Sequence, residues 1–130
     1  MTIKTGTDIT SIKRIQKLVK NPAFLKRILT PTEQEYVQTK ASRPNAKKSQ
    51  ICATIAGLFA AKEAVSKALQ TGLLKGIGFA DITIDHAPSG APIVVLSATA
   101  KKLIKGDYSI SISISHDADF AIATCTLLEC

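Results

Sequence analysis

At 130 residues, with 45% apolar and 21% charged side chains, the chain has the size and composition of one globular domain with a buried core. The first twenty residues are mixed polar and basic, and the longest mostly apolar run, Ile51 to Ala61, is too short for a bilayer span of about 20 residues. The sequence therefore reads as soluble, unexported and cytoplasmic, with no membrane partner. The formal charge of +7 is uneven: residues 1–65 hold twelve Lys/Arg against four acids, and residues 66–130 hold five lysines against six acids. One end of the molecule should attract a polyanion. Cys52, Cys125 and Cys130 have no paired spacing, which argues against a disulfide framework or a zinc site; Cys52 and Cys125 read as core residues.

Thr2 to Thr7 predicts a short strand that ends at Gly6, which leaves Asp8 between a strand and a helix. Ile12, Ile15, Leu18 and Val19 then fall at helical spacing within Ile9 to Val19, with Lys13, Arg14 and Lys17 on the remaining surface. Asn21-Pro22 breaks this helix, and Ala23 to Ile28 predicts a second short one. Thr30-Pro31-Thr32-Glu33 is a helix start with a capping residue, a proline at the first turn and a capping-box glutamate. That helix runs to about Thr39, and the basic stretch Lys40 to Ser49, broken by Pro44, reads as a loop. The main helix follows, from Gln50 to Leu69, with Gly72 ending it.

The second half changes character. Asp81 to Asp85 and Pro92 to Leu96 predict strands joined by a Pro88-Ser89-Gly90 turn, with His86 at the surface. Ser97 to Lys105 predicts a short capped helix. Ser109 to Ser115 alternates Ser and Ile, the pattern of a half-buried strand, and Phe120 to Leu128 returns as its neighbour. Helices first and strands second argue for a single α+β domain with a mostly antiparallel sheet.

Several residues could carry chemistry. Asp8 is either a helix-capping or turn aspartate or a ligand for a hard divalent ion, which takes oxygen donors and keeps open positions for phosphates. Glu63 either pairs with Lys67 on an exposed helix face or, in a helix crowded with alanines, needs a cation as its partner. Lys62 is either solvated or a point charge for a phosphate. His116, at a strand end, is either a loop histidine or a phosphate contact or proton shuttle. No P-loop, dinucleotide fingerprint, nucleophile elbow or zinc-protease motif is present. Aromatics make up only 5% of the chain, which speaks against stacked RNA bases and a nucleic-acid partner. A non-catalytic basic module that binds RNA or an acidic protein is the competing reading, with the lack of stacking aromatics against RNA.

Taken together, Gly6-Thr7-Asp8-Ile9, Arg14-Ile15, Ile28 to Glu33, Phe59 to Leu69 with Thr71-Gly72, Gly76-Ile77, Phe79 to Ile82, Gly90-Ala91-Pro92 and Ile112 to Asp117 resemble, in order, the small bacterial type of 4′-phosphopantetheinyl transferase. The resemblance covers nearly the whole length and implies that fold. It also implies transfer of 4′-phosphopantetheine from coenzyme A to a serine of acyl carrier protein, with Mg2+ held by Asp8 and Glu63 against the pyrophosphate. Catalytic roles pass by the same resemblance to Asp8, Glu63, Lys62 and His116, and coenzyme A contacts to Lys62, Ser66, Gly72, Pro92 and His116. The proton acceptor stays open among a metal-bound water, Glu63 and Lys62. The acidic carrier would dock on Lys13, Arg14, Lys17 and Arg27, and a homotrimer with its sites between neighbouring subunits is implied. Two departures stand out. Leu58 occupies a position where many relatives have an arginine near a coenzyme A phosphate, and Arg43, Lys47 or Lys48 from the basic loop could substitute. Gln70 stands where relatives have a glycine.

Overall fold

The computed structural model describes residues 1–73 and 76–130. Strand β1 (Thr2–Ser11) leads into helices α1 (Ile12–Leu18), α2 (Pro22–Ile28), α3 (Pro31–Ala41) and the long α4 (Lys48–Ala68). A 3-10 turn (Phe79–Asp81), the hairpin β2 (Ile82–His86) and β3 (Pro92–Leu96), and the single-turn α5 (Ala98–Lys101) follow. β4 (Tyr108–Asp117) and β5 (Phe120–Glu129) complete the chain. Both sheets are antiparallel, one ordered β1-β5-β4 and the other the β2-β3 pair. The expected α+β class holds.

Alternation of side chains builds the three-stranded sheet around α4. Ala121, Ala123, Cys125 and Leu127 of β5 are buried on one face, and their register partners in β1 include Lys4, Gly6, Asp8 and Thr10. The same rows continue to Ile110, Ile112, Ile114 and His116 in β4. The isoleucines of the Ser/Ile repeat therefore pack against the core while the serines face outward. Cys52 and Cys125 are buried as expected, and burial pushes the Cys125 thiol up to about 11.

Several elements differ from the sequence expectation. β1 does not end at Gly6: it pairs with β5 continuously from Thr2↔Glu129 to Ser11↔Phe120, so Asp8 lies within a strand and Ser11 caps α1. The ladder outweighs the helical spacing of Ile9, which sits 62% exposed on the outer face. α4 begins at Lys48, and its left-handed exit is taken first by Gln70 (φ 64) and again by Gly72 (φ 65). The expected helix over Ser97 to Lys105 is one turn capped by Ser97, whose hydroxyl accepts from Ala100 N at 3.1 Å. His86 is not a free surface residue; it is half-buried and stacks on Tyr36.

Two constraints hold these layers together. A methyl group on Gly6 would lie 1.9 Å from the Ala64 carbonyl oxygen and 2.7 Å from Ala68 N, so β1 rests on the α4 backbone. Second, Glu33 is wholly buried and joins three elements. One carboxylate oxygen accepts from Thr30 N at 2.8 Å and Lys62 Nζ at 2.6 Å, and the other from Ile84 N at 2.7 Å. Burial lowers the Lys62 pKa, and the Glu33 charge offsets part of that effect.

Gly6→Ala must lift β1 from α4, and we expect it to cost at least the roughly 1–3 kcal/mol of overpacking, read as a lower denaturant midpoint. Lys62→Met leaves a buried carboxylate without its cation and should cost about 3–5 kcal/mol. Adding Glu33→Gln to it should recover part of that loss in the same denaturation measurement, because the remaining group is then neutral.

Candidate active site

Asp8 and Glu63 meet where β1 crosses α4. The inner face of β1 carries Gly6, Asp8 and Thr10 in succession, and the absent side chain of Gly6 brings the next inward residue close to the helix. Asp8 is held from two sides. Thr10 Oγ1 donates to its Oδ2 at 2.9 Å, and Lys67 Nζ lies 3.4 Å from its Oδ1. Lys67 also donates to Thr7 O at 2.9 Å. One turn before Lys67, Glu63 is half-buried on the same face of α4.

The electrostatics of this pair are those of two like charges held together. Burial raises the Glu63 pKa first and the Asp8 charge raises it further, while Lys67 and Arg14 pull it back. A divalent cation between the carboxylates would remove that repulsion, and their hard oxygens suit magnesium. Among the described residues, no group of three or more His, Cys, Asp or Glu is assembled for a metal. Two carboxylates suit an ion that keeps its other positions for water and substrate phosphates.

Lys62 does not join this site. Its side chain is 0% exposed and its Nζ points to Glu33, away from any open surface. The Lys62 expected at the phosphates thus lies in the interior of this structure; neighbouring residues on a helix point about 100° apart, and the exposed lysine is Lys67. Ser66 is also buried, and its hydroxyl donates to Glu63 O at 2.7 Å, so it offers no free donor to a coenzyme. Gly72 turns the chain after α4, with its N–H directed to Ser66 O at 3.4 Å.

His116 and Pro92 lie elsewhere. Asp8, Ala123 and Ile114 form one row across the sheet, and His116 is two residues beyond Ile114 on β4. Two strand spacings, about 10 Å, thus separate the β1 edge from the β4 edge. At the β4 edge a cavity of about 550 Å³ is lined by Lys40, Arg43, Asn45, Gln50, Thr54 and His116. An adjoining one of about 190 Å³ is lined by Tyr36, Lys40, Leu58, His86, Pro92 and His116. Of the three cations expected to replace the arginine at position 58, Arg43 lines this region. Lys48 faces another hollow, of about 520 Å³, with Lys13, Lys17 and Lys20.

The four docking residues also divide. Arg14 leans towards the carboxylates, its guanidinium 5.9 Å from the Phe59 ring centroid. Lys17 lies between the lysine hollow and a smaller one bounded by Phe24 and Arg27. Sequence reasoning missed Lys67 as a site residue, although its spacing from Glu63 places both on one helix face. It also missed Tyr36, Lys40 and His86, which converge only through the fold.

Comparison with known proteins identifies the family. The family model described as the 4′-phosphopantetheinyl transferase superfamily matches residues 4–125. The holo-[acyl-carrier-protein] synthase of Helicobacter pylori is 46% identical over 124 residues, 91% of each chain. That of Clostridium novyi is 44% identical over 126 residues, 95% of this chain and 85% of the relative. Among solved structures, the Helicobacter pylori enzyme in complex with coenzyme A superposes with a TM-score of 0.77 at 44% identity, over 93% of this chain and 96% of that one. The Bacillus anthracis enzyme in complex with CoA (3′,5′-ADP) gives 0.80 at 34% identity, over 98% and 96%. The chain belongs to the holo-[acyl-carrier-protein] synthase family of the 4′-phosphopantetheinyl transferase superfamily.

Proposed function

We propose that this chain transfers 4′-phosphopantetheine from coenzyme A to a serine of apo acyl carrier protein. The products are the holo carrier and adenosine 3′,5′-bisphosphate, in a magnesium-dependent, cytoplasmic step of fatty acid biosynthesis. The observation that carries this reading is the convergence of Asp8 and Glu63 beside Lys67 at the β1–α4 crossing.

Asp8 and Glu63 would hold the magnesium ion, which neutralises the pyrophosphate and stabilises the bisphosphate leaving group. The serine oxygen forms a bond to the phosphorus that carries pantetheine, and the bond from that phosphorus to the bisphosphate oxygen breaks. Glu63, half-buried beside Asp8, would be a candidate acceptor for the serine proton. Lys67 fixes Asp8 and, being exposed, can add positive charge towards the phosphates. The interior Lys62 leaves the set of candidate bases, because its ammonium is committed to Glu33.

A homotrimer gives the two halves of the site a reason to be on opposite sheet edges. His116 and Pro92 lie on the β4 side and the carboxylates on the β1 side. Joining the β4 edge of one copy to the β1 edge of the next would bring them to one substrate. The outer sheet face supports this assembly. Ile3, Ile9, Phe120 and Ile122 are 65%, 62%, 50% and 42% exposed there, interleaved with threonines and serines.

Arg14 beside the carboxylates, with Lys13, Lys17 and Arg27 further along α1 and α2, would dock the acidic carrier. The position of Arg14 would bring the carrier serine to the metal side of the site.

Asp8→Ala and Glu63→Ala should each lower transfer by at least about a hundredfold while the circular dichroism spectrum is kept. Near-wild-type turnover in both would remove the metal pair. Magnesium at ten times its dissociation constant should stabilise the wild type by about 1.4 kcal/mol, with no thermal shift in either variant.

The pH behaviour follows from the sign of the Glu63 shift. Its folded pKa lies above its unfolded value, so the folded state holds the proton more tightly. Metal-free stability should therefore fall as pH rises from the ordinary glutamate range through the raised value, and Glu63→Gln should remove that decline in a pH series of melting curves.

Lys17→Glu should raise the carrier KM about tenfold, more so at low salt, with little effect on the coenzyme A KM. Arg14→Glu should in addition lower kcat, because that side chain also faces Glu63.

A further inference from the structure

Helix α1 buries Ile12 and Ile15 and packs on α4, and its two flanks differ. One carries Arg14 and Leu18, beside Phe59 and the hollow bounded by Phe24 and Arg27. The other carries Lys13, Gln16 and Lys17, at the spacing of helix neighbours, and leads to Lys20 in the turn beyond. Lys48 and Ser49, from the first turn of α4, complete the lining of a hollow of about 520 Å³. Carrier docking accounts for Lys13 and Lys17 and leaves Lys20 and Lys48 without a role.

These four lysines meet no carboxylate. The ion pairs among the described residues are those of Lys4, Lys62 and Lys67, none of which lines the hollow. The sequence withholds acids on both sides: none occurs from Ile9 to Thr32 or from Tyr36 to Lys62, the two stretches that supply the lining. A helix surface that served solubility alone would mix signs, as i,i+4 pairs do. Ammoniums that share one concavity repel one another, with a Debye length of about 10 Å in ordinary salt, and an anion seated among them removes that repulsion.

The lining also selects the class of anion. It has no arginine fork for a single carboxylate, no aromatic ring for a base to stack on and no apolar side chain. Lysines are point charges on flexible stems, which suits a ligand whose charge repeats along a short chain. Gln16 and Ser49 add neutral donors for further oxygens. A concave surface admits a small free anion more readily than a flat bilayer or the rigid face of a protein.

We propose that this hollow binds a condensed phosphate chain of three or more phosphoryl groups, free or carried on a nucleotide. Because Lys13 and Lys17 belong to both surfaces, an occupied hollow competes with the acidic carrier. That competition rests on the transferase reading, whereas the binding does not.

Calorimetric titration of the full chain with sodium tripolyphosphate, without metal or substrate, reads the binding directly. One tripolyphosphate should bind per chain, more weakly as salt rises, and orthophosphate at least about tenfold less tightly. Lys20→Gln should weaken binding about fivefold, and its combination with Lys48→Gln about twentyfold, the size of one and two exposed charge contacts. Lys101→Gln, on α5, should change nothing. Equal losses at Lys20 and Lys101 would mean attraction to net charge alone and overturn the proposal, as would the lack of saturable binding at low salt. Adenosine triphosphate that binds as tightly extends the ligand to nucleotides, and one that fails to bind restricts it to free chains; either supports the phosphate-chain site. In transfer assays at fixed free magnesium, tripolyphosphate should raise the carrier KM and spare kcat, and Lys20→Gln should relieve that inhibition. Inhibition that competes with coenzyme A instead, or that Lys20→Gln leaves untouched, overturns the competition. A chain that binds tripolyphosphate but transfers nothing refutes the transferase reading and leaves the phosphate-chain site supported.

Discussion

A strand backbone lying directly on a helix backbone is the constraint on which the remaining geometry depends. Gly6 makes it possible from the β1 side, because any side chain would meet the Ala64 carbonyl. From the α4 side the same closeness is served by small residues: Ala60, Ala61, Ala64 and Ala68 are all wholly buried. Ordinary sheet alternation then points Asp8 at the helix one step beyond Gly6, and helix periodicity presents Glu63 and Lys67 to it. The site is a by-product of tight packing, built from regular elements and not from loops. That is a suitable foundation for positioning phosphates.

Glu33 serves the same end from the other side of α4. It begins as a local helix cap and finishes as the junction of α3, α4 and β2. A buried ion pair with both carboxylate oxygens engaged contributes little net stability compared with an apolar core, yet it tolerates few alternative arrangements. Here it sets the register of α4 against α3. It therefore helps fix Glu63, the residue after Lys62, and the Tyr36–Lys40 end of α3.

Much of this was legible in the sequence. Capping by Thr30 and Ser97, the Ser/Ile alternation and the strands around Pro88 to Gly90 are local signals, and each was found where expected. The carboxylate pair was also readable, because Asp8 and Glu63 occur within a pattern spanning nearly the whole chain. What escaped was set by tertiary contacts. The extension of β1 through Ser11 depends on a partner strand more than a hundred residues away. Which of Lys62 and Lys67 is interior could not be read, because only the packing of α4 decides it. Tyr36 and His86 are fifty residues apart, and no periodicity announces their stack.

Metal-assisted transfer at the β1–α4 crossing has a direct readout. The most direct measurement is the mass of an apo acyl carrier protein after incubation with the purified chain, coenzyme A and magnesium. A gain equal to one phosphopantetheine on the carrier serine is expected, abolished by chelating the metal and restored by adding magnesium back. A folded protein that leaves several apo carriers at their original mass, or one whose transfer is indifferent to chelation, would contradict it.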